Sequence, residues 1–477
     1  MIPRSRPVGT SFWLLLLLAA ICCIAAEPVR AAQAGWAEVD ITPPLGIGLG
    51  GRGGPDTVAT KVLDPLYAQV LFVKDAKGTG FVLVSFDVVA LPHDLSDKLR
   101  FDIVNELGVD WNLIVLNASH THSGPYMIRS LIAGLGPPPE IERDYFQALE
   151  AKIVTATRAA AKALQPVRVE VFHGTSDIGI NRRGTNQLGK MTMLPNAAAP
   201  YDDKVWVLKL TPTNGRPPAI IFSCACHSVI AYGFAYSALS ADWPGATRNA
   251  LHDALGTNIH VQFVQGFAGN IRPRVVANLE HNRFRPSKPE DLKKAGADMA
   301  KSITDAMQSH GESLSMDLAG TSDRPFLPRG EPPPRAFYDK MRETAEAATN
   351  KFRVGVADYW LSRYDAGYGF ARGDAWSLGL IRLADNQWIV HSGGEPVIEW
   401  REKMQKWLAP LNIVTWGYSQ EAKSYLPTEA LLPEGGYEVL DSNEARASTP
   451  APYAPGIEAA IRESLLRQLA FIRAKAN

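Results

Sequence analysis

Apolar and polar positions along this chain alternate between two periods. Tyr67–Val73 and Phe81–Val88 are apolar runs joined by Lys74-Asp75-Ala76-Lys77-Gly78, the pattern of two paired central strands. His93–Leu107 changes to helical spacing, and Leu113–Leu116 returns to a short buried strand that ends in Asn117-Ala118-Ser119. Helical spacing resumes from about Glu140 to Leu164, over Ala241–Leu255 (opened by Asp242 and Pro244), over 288–310, over about 335–352, and from about 456 to 474. Between them, Val167–Phe172, Val205–Leu210, Ala219–Cys226, Ile259–Val264, Leu378–Leu383, Trp388–His391 and Ile413–Tyr418 read as strands. This succession predicts an α/β (mixed α+β) fold of layered sheets with flanking helices, in one continuous domain.

Some stretches break the pattern. Trp36–Pro44 alternates like an edge strand and stops at Pro43-Pro44. The glycine-rich segment Gly46–Gly54 lacks the strand before and helix after it that a dinucleotide loop needs, so it reads as a flexible rim. Ile180-Asn181-Arg182-Arg183-Gly184 reads as an irregular polar loop, and Asp323–Pro334 as a linker or a long excursion between lobes.

The chain of 477 residues can bury a large core, and its 49 basic residues balance 49 acidic ones. That balance gives no reason to expect nucleic acid or an anionic membrane surface as partner. Arg4 and Arg6 precede an apolar run from Phe12 to Ala26, and Ala32-Gln33-Ala34 follows as an A-x-A cleavage site. Residues 1–34 are therefore expected to be a signal peptide, and residues 35–477 an exported (periplasmic or secreted) hydrolase domain with no integral membrane span. Cys224 and Cys226 are the cysteines left after cleavage; two apart on a strand they face opposite ways, so no disulfide is expected between them.

Chemistry gathers at Trp111–Pro125, where the buried strand runs into Ser119-His120-Thr121-His122-Ser123-Gly124-Pro125. Histidines at i and i+2 on an extended chain point to opposite sides, so they share a site only if the chain turns, and Ser-Gly-Pro supplies a turn. Two readings stand: one histidine binds a metal while the other works as acid or base, or both are loop residues without a joint role. His227 ends an apolar strand, Glu395 follows Val390-His391-Ser392-Gly393-Gly394, and Tyr425 and Tyr437 bracket a loop. Singly, these read as a hydrogen-bonded histidine, a turn residue and packing aromatics.

In order along the chain, however, these motifs resemble the neutral (non-lysosomal) ceramidase family. Ser119–Pro125 is similar to that family's T-H-T-H-S-G-P, and Ala37-Glu38-Val39-Asp40-Ile41-Thr42-Pro43 and Asn181-Arg182 match in sequence order. Cys226-His227 before Ser240-Ala241-Asp242-Trp243-Pro244-Gly245 resembles a histidine followed by S-A-D-F-P-G. Gly394-Glu395 resembles P-G-E, and Tyr425 through Tyr437-Glu438 resembles Y-x-T-T…Y-E. The resemblance implies one zinc ion held by His120, His227, Glu395 and Tyr425. It implies His122 as general base and acid beside a zinc-bound hydroxide, and Arg182 and Tyr437 as donors to the oxyanion of a tetrahedral intermediate. The implied reaction is hydrolysis of the amide of an N-acyl sphingoid-type lipid.

Two departures qualify that expectation. The family's G-D-V-S-P appears as Gly269-Asn270-Ile271-Arg272-Pro273, and an arginine, protonated at every accessible pH, cannot be a nucleophile. Arg272 either binds an anionic substrate group or forms a surface ion pair. The family's C-terminal β-sandwich has no counterpart in the sequence, which counts against access to membrane lipid and so against ceramide itself as the substrate. The leading expectation is a zinc-dependent amidase acting on an N-acylated lipid or a related amide. The alternatives are a zinc hydrolase of another ester or amide on the same scaffold, and a non-catalytic binding protein that keeps the fold.

Overall fold

A computed structural model describes residues 31–52 and 54–476. The expected signal segment lies outside the described residues up to residue 30, as do Cys22 and Cys23. Strand β1 (Gln33–Asp40) starts just before the expected cleavage point, and Ala34 within it is fully buried.

The strands and helices that follow, in chain order, are β2 (Tyr67–Lys74), β3 (Gly80–Phe86), α1 (His93–Leu107), β4 (Ile114–Ala118), α2 (Glu140–Lys162), β5 (Gln165–Thr175), β6 (Gly179–Thr185), β7 (Met191–Asn196), β8 (Lys204–Pro212) and β9 (Ala219–Cys224). Then come α3 (Asp242–Leu255), β10 (His260–Gln265), β11 (Ile271–Pro273), α4 (Pro289–Gln308), β12 (Ala319–Asp323), α5 (Arg335–Ala347) and α6 (Lys351–Asp365). The last are β13 (Leu378–Ala384), β14 (Gln387–Ser392), β15 (Glu395–Pro396), α7 (Glu399–Leu408), β16 (Ile413–Trp416), β17 (Tyr425–Leu426) and α8 (Ile457–Ala476). Short two- and three-residue strands fill some of the intervening loops.

The large sheet runs β10-β9-β8-β5-β1-β2-β3-β4, with Glu312–Ser313 added on β5. It wraps on itself, because Gln262 of β10 donates through Nε2 to the Gln69 and Leu83 carbonyls and to Ser85 Oγ on β2 and β3. Strands β2 and β3 are buried on both faces, which is why they read as near-continuous apolar runs rather than alternating ones. Helix α2 packs against β1 and β2, and comes so close that a Cβ on Gly35 would stand 2.1 Å from the Ala160 carbonyl oxygen. A second sheet, β12-β13-β14-β16, shares one hydrophobic core with the first, and β11-β6-β7 forms a smaller sheet.

The pairs β3–β4, β9–β10 and β14–β16 are parallel. In α/β sheets, ligand sites gather beyond the carboxyl ends of such strands. Here the chain leaves β4 toward His120, β9 toward His227 and β14 toward Glu395. Asn117, fully buried near the end of β4, ties that end to those of β10 and β16: its Nδ2 donates to the Gly417 carbonyl (2.7 Å) and Ser419 Oγ (3.1 Å), and its Oδ1 accepts from the Gln265 amide (2.8 Å).

Residues 36–40 belong to β1 and pair on one side only, with β2, as an edge segment does; β5 joins β1 only at Gln33 and Ala34. Three expectations are corrected. Residues 180–184 form β6, not an irregular loop; their polar side chains are buried because they enter an ionic cluster beside the site. Residues 323–334 are not a linker: Leu327 is fully buried, and buried Arg329 donates to Asn443 Oδ1, the Ala451 carbonyl, Asp374 Oδ2 and Ser424 Oγ. The helix expected over 335–352 stops at Ala347, Thr349 takes a left-handed φ of 54°, and a further helix, α6, begins after Asn350, whose side chain accepts the Arg353 amide as an N-cap. The hairpin α5–α6 carries its own small apolar cluster, built on Tyr338, Val356 and Trp360. No helix among the described residues is long and apolar enough to cross a membrane.

His391 on β14 is buried with both ring nitrogens unpartnered, its Nε2 lying 2.0 Å from where a Gly379 Cβ would stand. Burial, and after it the charge of Arg100, pushes its pKa from 6.5 down to about 3. Between those values the unfolded chain holds the extra proton, so His391 makes stability fall as pH falls, by up to about 1.4 kcal/mol per pH unit. In His391→Phe that slope is removed. Urea unfolding from about pH 7 to about pH 4 should show the variant gaining on the parent as pH drops; a pH-independent difference would refute the assignment.

Candidate metal centre

The chain turns at His120 itself, ahead of the expected turn, which follows over residues 122–124. His120 has φ 60°, a left-handed conformation that a non-glycine residue adopts only when its surroundings enforce it. That turn places His120 and His122 in one site, against the expectation for an extended segment, with their Nε2 atoms 3.1 Å apart.

Each histidine of the cluster is fixed from behind by a backbone carbonyl. Val89 O lies 2.7 Å from His120 Nδ1, Gly51 O lies 2.9 Å from His122 Nδ1, and Ala268 O lies 2.7 Å from His227 Nδ1. A carbonyl only accepts, so each Nδ1 carries the hydrogen and each Nε2 presents a lone pair. The three imidazoles offer ligand atoms that all lie within 4.8 Å of one another. Glu395 Oε2 stands 3.2 Å from His120 Nε2 and 3.4 Å from His227 Nε2. Acceptors facing acceptors at these distances repel unless a cation sits among them. The donor set, imidazole nitrogens with a carboxylate and hydrogen-bonded second partners, fits a divalent transition metal.

Electrostatics keeps the ligands ready. Burial, then the charges of neighbouring histidines, pushes the His122 pKa well below 6.5, and burial followed by Arg182 takes His227 to about 3.

The glycine-rich rim does border the site. A Cβ on Gly51, which has φ +75°, would meet the His122 ring at 2.4 Å. The Ser240–Gly245 motif braces the histidine loops from below: Thr121 Oγ1 donates to the Ser240 carbonyl, and Trp243 Nε1 donates to the His227 carbonyl. Asp242, itself at φ 58°, accepts the Ile230, Ala231 and Trp243 amides. Asn270 accepts the Ile398 amide and donates to Glu399, tying the 269–273 segment to the residues just after Glu395.

Glu395 and Tyr425 occupy the same rung of the β15–β17 pair. The Tyr425 ring lies parallel to that of His227 at 6.5 Å and edge-on to Tyr437 at 5.4 Å. Arg182 lies under both tyrosines, its guanidinium carbon 5.3 Å and 5.7 Å from their ring centres. Its Nε donates to Glu438 Oε1 (2.8 Å), its Nη1 to His227 Nε2 (3.2 Å), and its buried Nη2 has no partner. Glu438 also accepts from Arg183 Nη1 at 2.9 Å.

Sequence reading missed Tyr418. Its ring packs on His120 at 4.3 Å and its hydroxyl donates to Glu395 Oε2 at 3.5 Å. Nothing in its neighbours in the chain marks it; it enters the site through a φ of 51° after β16. Arg272 is neither of the things expected of it. Its Nη2 donates to the Tyr232 hydroxyl at 2.8 Å, its guanidinium lies over Phe284, and it joins neither an ion pair among the described residues nor the cavity wall.

The cluster opens into a cavity of about 510 Å³, lined among others by Val89, Ile128, Ile132 and Phe352, with Arg52, Arg353 and Arg446 as cations and Asp56, Glu395 and Asp441 as acids. Asn350, Phe352 and Arg353 bring the α5–α6 hairpin to its mouth. A cleft of about 490 Å³ near Asp177, Arg274 and Asp298 shares none of these residues.

The fold is similar to that of solved ceramidases. The structure is similar to neutral ceramidase from Pseudomonas aeruginosa, with a TM-score of 0.71 and 18% identity over 94% of this chain and 75% of that one. It is equally similar to a ceramidase complexed with C2, with a TM-score of 0.70 and 16% identity over 94% of this chain and 76% of that one. No family model and no curated protein matches the sequence.

Two outcomes follow from the geometry. Chelator-treated protein reloaded with zinc should bind one ion per chain by elemental analysis, and His120→Ala or His227→Ala should lose it. Full occupancy in both variants would dismiss the site. Glu438→Gln strips the shared carboxylate from two buried arginines, and should cost about 3–5 kcal/mol in urea unfolding.

Proposed function

We propose that this protein is an exported zinc-dependent amidase that hydrolyses an N-acyl amide. The observation that carries the reading is the set of inward-facing Nε2 lone pairs, each pinned through Nδ1 and joined by Glu395, at a cavity with an apolar wall. The ceramidase-like fold supports it. His120, His227, Glu395 and Tyr425 would hold the ion, with nitrogen and oxygen donors that suit zinc. Zinc bound there supplies Lewis acidity and acidifies a water from pKa 15.7 to about 7.

The protein's own groups supply the rest. His122, kept neutral by burial and oriented by the Gly51 carbonyl, takes a proton at Nε2 from the attacking water and returns it to the leaving amine. The free Nη2 of Arg182 and the hydroxyl of Tyr437 donate to the amide oxygen as it gains negative charge. Val89, Ile128, Ile132 and Phe352 receive the acyl chain away from water. No serine is needed, since Asn270 and Arg272 hold structure rather than substrate. Residues 1–34 act as the export signal.

The 3.1 Å contact between His122 and His120 favours one second reading, in which His122 is a third nitrogen ligand rather than the base. His122→Ala separates the two. Retained zinc with turnover lowered by about 100-fold or more makes it the base, and lost zinc makes it a ligand. The test of the whole proposal is fatty-acid release from N-acyl amides, short-chain ceramide first, by zinc-loaded protein. Release should vanish with chelator and return with zinc; no chelator-sensitive release from any N-acyl amide would sink the amidase reading.

A further inference from the structure

The cavity wall holds Arg52, Arg353 and Arg446 together with Asp56, Glu395 and Asp441, and the three arginines differ in their partners. Arg353 is paired with Glu444 at 2.9 Å, and Arg52 gives its donors to neutral acceptors: the Tyr236 and Gly50 carbonyls and Ser123 Oγ. Arg446 makes neither kind of contact. Its Nε is buried without a hydrogen-bond partner, and its guanidinium joins no ion pair among the described residues. The backbone holds it in place: Ile132 and Arg446 form a bridge, and the Arg446 amide donates to the Asn443 carbonyl. Arg446 lines the main cavity with Tyr437, and also a side chamber of about 30 Å³ whose wall includes His120 and Glu395. Arg446 is half-buried, and leaving its buried Nε without a partner is costly unless something meets it in the working state.

We infer that Arg446 is a specificity-determining residue that binds a carboxylate on the amine side of the substrate, so that the substrates are N-acyl amino acids rather than neutral N-acyl lipids. The inference rests on the amidase reading above and specifies its substrate. In an N-acyl amino acid the carboxylate carbon is separated from the amide nitrogen by a single carbon. A group that reads it must therefore stand beside the metal ligands, as Arg446 does in the side chamber it shares with His120 and Glu395. The guanidinium fork matches a carboxylate bidentately, which a neutral hydroxylated head group does not reproduce. The anion-reading arginine is thus not Arg272, which is turned to Tyr232.

The test is calorimetric binding of N-decanoylglycine and its neutral isostere N-decanoylglycinamide to the chelator-treated protein, followed by turnover of both after zinc loading. The acid should bind about tenfold or more tighter than the amide, with the difference shrinking at high salt. Arg446→Gln should abolish that preference, and Arg446→Lys should keep part of it, with thermal melts confirming that each variant folds. If a variant does not fold, the salt dependence in the parent protein still decides. Equal binding of acid and amide, or a preference unchanged in Arg446→Gln, overturns the inference. Equal kcat/KM for the two substrates likewise overturns it while leaving the amidase reading intact. Selective binding with no turnover in zinc-loaded protein supports the carboxylate site and sinks the amidase reading.

Discussion

The site depends on one constraint: imidazole lone pairs are held facing one another, with a carboxylate oxygen among them, where they would otherwise repel. The chain meets this by anchoring each ring from the far side. Val89, Gly51 and Ala268 supply carbonyls that accept from Nδ1, and those carbonyls come from segments far apart in sequence. Fixing the tautomer in this way commits every Nε2 to the centre. Burial then keeps the His122 and His227 rings neutral, because a charged imidazole cannot be solvated there.

Holding that arrangement takes local strain and close packing. His120, Asp242, Tyr418 and Gln420 all adopt left-handed φ values, and all sit at or behind the cluster. Each is over-determined by hydrogen bonds or packing: Asp242 accepts several amides, Gln420 donates to the Ile114 carbonyl at 2.7 Å, and Tyr418 is wedged between His120 and Glu395. Such conformations persist where the surroundings compel them, and they gather at functional sites. Asn117 is the junction beneath, joining the ends of three strands so that the loops above them start from fixed points.

The departures from the resembled family also find physical explanations. Asn270 caps the chain just after Glu395, and Arg272 supports Tyr232, whose ring lies 5.9 Å from His122. The cavity above the cluster is completed by the α5–α6 hairpin, whose apolar cluster is separate from the main core. The ionic group of Arg182, Arg183 and Glu438 joins the wall of this cavity to the histidines, so binding groups and ligands share one buried network.

Much of the fold was legible because period and burial coincide. Helix α1 was expected over His93–Leu107 and lies there, and the paired strands β2 and β3 and the parallel strands of the second sheet follow from unbroken apolar runs. The members of the site were legible through residue types at strand ends, His120, His122, His227 and Glu395 among them. Their geometry was not. A period-two argument separates His120 from His122, and only the left-handed turn at His120, enforced by packing, brings them together. Polar residues 180–184 looked like a loop because their partner Glu438 is more than two hundred residues away, so the burial that makes them a strand is invisible locally. Tyr418 and Arg446 carry no local signal for the same reason. Sequence by itself determined which elements form and which side chains end them, because those depend on neighbours a few residues apart. Tertiary structure alone decided which lone pairs face one another and which charges go unpaired, because those depend on contacts between distant segments.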